Sequence, residues 1–338
     1  MKTKIKNQKS KIKNLTNSII CLLLGNFMMS CTMSSSTLPN AQGSAGDVLI
    51  VMRDTHWNGV YGDSVRSYLT EPVWGLPAPE PMFTLSHQVE LTSYAKKYRN
   101  IVVFNIDPGF EGTRLVYKSD PYARNQSIFN IEAPTADSAV VCMYRNKNKI
   151  VAHFLMRDRD AIIADYKRSK TKFVTDKVLE KFQVDILIPK PFVMSVEKDD
   201  FVWISREEGE RQWGILMWKE PYVRKTQLLT DSLIFKMNAM TRRNVPGSVT
   251  GSYMADEPLV PPEVKIFEKN DVYTVQLNGL WQMQNGWLGG PYVNHTIVDI
   301  KRGQIVTAMG FIYYPNRDKR QMVRQLEAIL YTMVPADM

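Results

Sequence analysis

Three kinds of hydrophobic pattern succeed one another along the chain. Short apolar runs rich in β-branched residues come first, at 47–52, 101–106 and 127–132, each bounded by turn residues. Such runs predict buried strands. Between the first two lies 71–81, with Pro72, Pro77, Pro79 and Pro81. A fixed φ and a missing N–H at each proline forbid a regular helix or central strand, so this stretch is expected as a fixed extended loop. Before it, Asp63 is placed to N-cap a short helix over Ser64–Leu69. From Thr135 or Asp137 to about Phe182 the spacing becomes helical. Ala139, Val140, Met143, Ile150, Phe154 and Ile162 lie on the dry side, with lysines and arginines between them.

The second half reads mainly as strands. Val184–Ile188, Phe201–Ser205 and Trp213–Trp218 are strand candidates, the last two flanking a hairpin turn at 206–209. Gln227–Thr241 is expected to be helical. Asp271–Trp281 alternates, with Val272, Thr274, Gln276 and Asn278 on one phase and Tyr273, Val275, Leu277 and Gly279 on the other. Thr296–Ile300 and Gln304–Tyr313 form a hairpin around Lys301-Arg302-Gly303. A last helix, capped by Asn316, carries Met322, Val323, Leu326, Ile329, Leu330 and Met333 in one stripe. The class is therefore α+β, in two mixed units, 47–182 and 183–338, with largely antiparallel sheets covered by helices. The element order of the second unit resembles the α/β/α sandwich of the PsbP and Mog1 type, a likeness of fold that does not carry function.

Residues 1–30 have a different character. Six lysines and no acid occupy the first 13 positions, an apolar run covers 19–29, and Ser30-Cys31 follows. This is the order of a signal peptide. The run is shorter than the roughly 20 apolar residues needed to span a bilayer. A Cys directly after a small residue predicts lipoprotein processing, with the mature chain beginning at a lipid-anchored Cys31 and several acyl chains, palmitate among them, holding it to the membrane. Met28 stands where such signals usually have Leu. Residues 31–46 are then a flexible Ser/Gly tether. This address also changes the charge picture: of the net +9, removing residues 1–30 leaves 37 basic and 34 acidic residues. A nucleic-acid surface is not supported. With Cys31 acylated, Cys142 has no partner for a disulfide, and stability must come from burial.

Catalytic motifs are absent. There is no G-x-S-x-G, H-E-x-x-H, C-x-x-C or P-loop, and no cofactor or metal site is expected. His56, His87, His153 and His295 are not at metal-ligand spacing, and Cys142 reads as a small core residue. Asp54 and His56 could pair at a strand end. Asp63-Ser64, Asp137-Ser138 and Asp231-Ser232 match a short O-glycosylation pattern, but each sits where a helix cap is expected. The stretch 281–295 is the candidate ligand-binding segment: Trp281, Trp287, Tyr292 and His295 combine aromatic faces, amides and a glycine pair, which suits a sugar or a peptide. The competing expectation is a strand connection with its aromatics turned inward.

Several phrases carry a family resemblance: Trp57-Asn58-Gly59 with Gly62-Asp63, Leu76-Pro77-Ala78-Pro79-Glu80-Pro81, Asn244-Val245-Pro246-Gly247, Gly279-Leu280-Trp281, and Gly289-Gly290-Pro291-Tyr292-Val293. Together with Arg99-Asn100-Ile101 and Lys319-Arg320 they resemble a lipoprotein family of Bacteroidota-type bacteria known only as a domain of unknown function. The resemblance implies an envelope location and supplies no catalytic residue. Thr32-Met33-Ser34 after the cysteine, in place of acidic residues, points to the periplasmic face of the outer membrane. The expected function is a membrane-anchored, non-catalytic binding or scaffold module that meets an envelope protein or glycan. The alternatives are an envelope hydrolase using two of Asp54, Asp63, Glu80, Asp256 and Glu257, and an assembly or lipid-handling factor with a closed apolar cavity.

Overall fold

Two sheets organise the chain, and one helix at the C-terminal end serves both. The computed structural model describes residues 38–336; the proposed signal peptide, Cys31 and residues 32–37 lie outside the described residues. The first sheet is built from β1 (Asp47–Val51), β2 (Thr84–Gln88), β3 (Asn100–Ile106), β4 (Arg114–Ser119) and β5 (Ser127–Ala133), in the order β2-β1-β3-β5-β4. Between β1 and β2 lie the short helices α1 (Asp54–Trp57) and α2 (Val60–Leu69). The long helix α3 (Ala136–Arg168) follows β5 and lays Ala139, Met143, Ile150 and Phe154 against the sheet. It begins at a reciprocal cap, in which Thr135 Oγ1 accepts from Ser138 N (3.2 Å) and Ser138 Oγ from Thr135 N (3.3 Å).

The second half contains α4 (Lys172–Phe182), β6 (Val184–Asp185), β7 (Val193–Glu197), β8 (Phe201–Glu208), β9 (Arg211–Pro221), α5 (Thr230–Asn244), β10 (Tyr253–Asp256) and β11 (Glu263–Lys269). It ends with β12 (Val272–Gln284), β13 (Gly289–Asp299), β14 (Gln304–Tyr313), α6 (Arg320–Tyr331) and β15 (Val334–Pro335). Its antiparallel sheet runs β10-β12-β13-β14-β9-β8-β7, with β11 also on β12. The alternation read in 272–281 sorts the two faces. Even positions of β12 look toward α4 and α6. Odd ones such as Val275, Leu277 and Trp281 look toward α5 and its Leu233, Met237 and Met240. The result is an α/β/α sandwich.

The α+β class stands, and antiparallel pairing predominates across the two sheets. The first sheet departs from that expectation: β1 runs parallel to β2 and β3, and β3 to β5, leaving only β4–β5 antiparallel. The crossover was hidden because β2 reads Thr-Leu-Ser-His-Gln, without an apolar run. The helical stretch 135–182 is two helices, and the second buries Val174, Val178 and Phe182 in the core of the C-terminal sheet, so packing assigns it to the second half. The described end of the stretch expected as a flexible tether, from residue 39, is bonded to the body. Ala41 N donates to Arg124 O (3.0 Å), Gln42 N to Lys97 O (2.7 Å) and Arg99 N to Gln42 O (2.9 Å). From Pro39 onward the chain forms one compact body.

The halves are joined by polar contacts to α6. Its apolar stripe faces the sheet, while Arg320, Gln321 and Arg324 reach the first half. Asn316 does not cap it. Glu80, from the proline-rich segment, accepts from Lys319 N (2.7 Å) and Arg320 N (2.8 Å), placing a carboxylate where helix N–H groups lack partners. The four prolines had predicted this rigid extended run. One turn on, Arg324 pairs with Asp158 of α3 at 3.3 Å. Asp158 is 1% exposed and also accepts from Gly46 N (2.6 Å), Asn100 Nδ2 (3.1 Å) and Arg99 Nη1 (3.3 Å). Gly46 sits at φ +87°, and a Cβ there would come within 2.2 Å of Arg324 Nη1. Burial raises the Asp158 pKa, and Arg324, the Gly46 amide, Arg99 and Asn100 oppose that rise.

Removing one member of a buried ion pair strands the other. We therefore expect Asp158→Ala to lower the unfolding free energy by roughly 3–5 kcal/mol, and Asp158→Leu combined with Arg324→Met to cost markedly less. Urea unfolding of the three proteins checks this. Equal losses in the single and double variants would show that no stranded charge is involved.

Candidate functional site

The segment 281–295 forms the end of β12, a tight turn and β13. Asn285 at φ +56° turns the chain, and Met283 N donates to Leu288 O (2.7 Å). The four predicted ligand residues do not share a surface. Trp281 is buried, its Nε1 donating to Ile312 O (3.1 Å) and its ring edge-on to Phe311 (5.7 Å, 78°). Tyr292 is buried on the same face and donates to Asp256 Oδ1 (2.7 Å). Its ring covers Gly279, where a Cβ would come 2.8 Å from it. Burial raises both members of this pair, and the neighbouring carboxylate adds to the rise at Tyr292. His295 is three residues from Tyr292 on a period-2 strand and so lies on the opposite face, under α6. There its Nε2 donates to Gln276 Oε1 (3.0 Å), and burial is the first cause pushing its pKa down to about 3. Only Trp287 is free, fully exposed at the hairpin tip.

Beside Trp287 runs a groove of about 440 Å³. Its walls are the turn residues Gly286–Leu288, the edge of β12 at Gln282, Glu257 and, from the first half, Pro77. The proline-rich segment is held there by its own contacts. Gly75 (φ +75°) approaches the Asn278 backbone closely, and Trp74 Nε1 donates to Pro261 O (3.1 Å). Glu257 N donates to Leu280 O (2.8 Å), fixing the opposite wall. Trp74 is half-exposed and Leu259 almost wholly so. The sequence offered Trp287 as a candidate and did not single out Trp74, which the proline-rich segment leaves half-exposed. A tryptophan inside a proline-fixed loop was the available sign.

The other candidates are dispersed. Asp54 does not meet His56; it lies 3.8 Å from His87 Nδ1, and His87 Nε2 donates to Met52 O (2.8 Å) while its ring stacks on Trp57. Parallel pairing of β1 with β2 brings His87 there, a neighbour invisible without the crossover. Asp63 pairs with Arg66 (2.6 Å), Glu80 caps α6 and Asp256 holds Tyr292. Cys142 is half-buried, and burial pushes its thiol pKa up. Among the described residues no three His, Cys, Asp or Glu side chains gather as a metal-ligand set. No helix among them is long and apolar enough to cross a membrane.

Two α+β halves clamped on one terminal helix, with a groove formed by parts of both, define the kind of protein this is. Residues 41–167 match a family described as a domain of unknown function (DUF8532), and residues 170–332 match a second so described (DUF4837). Together the two matches span residues 41–332, nearly the whole chain. No curated protein matches it in sequence. Among solved structures, the Saccharomyces cerevisiae Ran-binding protein Mog1p is similar at 10% identity and a TM-score of 0.32, over 46% of this chain and 91% of that one. The lipid transfer and protein localization domain of human StarD13 is similar at 10% identity and a TM-score of 0.23, over 48% and 96%. A Bacteroides thetaiotaomicron crystal structure is similar at 9% identity and a TM-score of 0.20, over 46% of each chain. Likeness at this level carries no argument about function.

The buried imidazole sets a pH dependence. His295 keeps its neutral form down to about pH 3, whereas its ordinary pKa is 6.5. Below 6.5 the unfolded chain takes up the proton first, so stability falls with acidification by up to about 1.4 kcal/mol per pH unit. Urea midpoints at pH 7 and pH 5 are expected to differ less in His295→Gln than in the parent. An unchanged difference would contradict the buried neutral imidazole.

Proposed function

We propose that the protein is a lipid-anchored envelope protein that works as a non-catalytic glycan-binding module. The observation that carries the reading is Trp287: a fully exposed indole beside a groove of about 440 Å³ walled by Glu257, Gln282 and Pro77. An aromatic face that sugar C–H groups can cover, with a carboxylate and an amide nearby for hydroxyls, is suitable chemistry for a glycan. Hydrolysis is less well supported, because Asp63, Glu80 and Asp256 are each engaged in separate contacts. Lipid handling calls for a closed apolar cavity, whereas the cavity beneath α6 is walled by charged groups. The anchor rests on the order Lys-rich segment, apolar run, Ser30-Cys31, and the periplasmic face of the outer membrane on the uncharged residues after it.

Two experiments follow. The full chain in detergent, titrated with soluble wall and outer-membrane glycan fragments, is expected to change its tryptophan fluorescence. Trp287→Ala should weaken binding at least tenfold with its unfolding midpoint unchanged. Binding to none of the fragments, or equal binding by the variant, would refute the glycan reading. Cys31→Ala is expected to move the protein from the membrane to the soluble fraction, and retention in the membrane would refute the lipid anchor.

A further inference from the structure

A second cavity, of about 220 Å³, lies between α3, α6 and the edge of the C-terminal sheet. Leu155 and Ile162 give it an apolar side; Arg159, Lys265, Gln276 and Glu327 give it a polar one. The charges in its wall are unevenly matched. Asp158 is engaged by Arg324, Arg99, Asn100 and the Gly46 amide. Glu327 Oε1 accepts from Gln276 Nε2 and Asn278 Nδ2, both at 3.1 Å. Among the described residues Lys265 pairs with Glu263 alone, two residues away on its own edge strand, at 2.8 Å. Lys269 donates to the carbonyl of Tyr331.

Arg159 is the exception. Its guanidinium lies 3.5 Å from the centroid of the Tyr331 ring, and no hydrogen bond or ion pair involves it among the described residues. Its Nε is buried without a partner. A guanidinium with a buried, unmatched N–H is suited to a carboxylate or phosphate, which fits its planar fork. Arg159, Lys265 and His295 line the same cavity, and Lys269 lies 4.5 Å from the centroid of the Tyr331 ring that Arg159 also covers. Burial and Arg159 together lower the Lys269 pKa to about 8, as expected where positive charge is in excess.

We propose that this chamber binds a small oxyanion, a carboxylate or phosphate group carrying a short apolar tail. Arg159 takes the oxygens from the floor over Tyr331, and half-exposed Lys265 takes them at the mouth. Leu155 and Ile162 receive the tail. The chamber falls below the roughly 300–1,000 Å³ usual for small-molecule sites, so the ligand is small. This site is separate from the Trp287 groove and stands or falls independently of it.

The test uses the full chain in detergent with three probes: butyrate, inorganic phosphate and neutral butyramide. Calorimetric titration is expected to detect butyrate or phosphate but not butyramide. Butyrate alone would assign the site to tailed carboxylates; phosphate alone would assign it to phosphate groups, and either supports an oxyanion site. Arg159→Gln should weaken the anion at least tenfold. Lys265→Gln, on an exposed edge where folding is not at risk, should weaken it several-fold. No heat with either anion, equal affinity for butyramide, or unchanged binding in both variants would overturn the proposal.

Discussion

A carboxylate with 1% of its surface exposed is the constraint on which the rest of the structure depends. Asp158 can stay ionised there only if donors replace the water it has lost. The donors come from three places in the sequence: Gly46 before β1, Arg99 and Asn100 at β3, and Arg324 in α6. Each is thereby fixed relative to the others. The glycine at 46 is required by geometry, since a side chain there would displace the Arg324 guanidinium. The pair makes one arrangement of the halves cheap and others costly, a role better attested for buried ion pairs than added stability.

Glu80 repeats the device at the first turn of α6. A helix that starts inside a protein needs acceptors for its free N–H groups, and here they come from the other half of the chain. The same contact anchors the proline-rich segment, which then lies along β12 and places Pro77 opposite Trp287. The groove is thus a consequence of how α6 is capped. The inner chamber has the same origin: α3 supplies Leu155 and Arg159, the sheet supplies Lys265, Gln276 and His295, and α6 closes it with Glu327 and Tyr331. Neither feature exists in one half alone, although the halves match separate domain families.

Much of the C-terminal half was legible in the sequence because its strands alternate and its final helix carries one clean stripe. The phase of 272–281 assigned Gln276 and Leu277 to opposite faces. The first sheet was less legible. Parallel strands covered on both sides read as unbroken apolar runs, and β2 is too polar to show at all, so the crossover that sets His87 beside Asp54 went unseen. The cap of α6 failed for another reason: Asn316 is a good local cap, but Glu80 lies more than two hundred residues away, and no local rule reaches that far. Of the ligand segment, only Trp287 lies at the surface, beside the groove. Trp281 and Tyr292 were misplaced because an aromatic in a strand looks the same in sequence whether it faces a ligand or a core.

Groove and chamber alike require the two halves to behave as one body. Native-state hydrogen exchange across the full chain tests that requirement most directly. The account predicts that the most protected amides of β3 and of β13–β14 exchange with the same opening free energy, and that weakening the Asp158 contacts lowers both together. If the first sheet opens on its own while β13 and β14 stay protected, the halves are independent domains. The shared helix could then not be what holds either site in place.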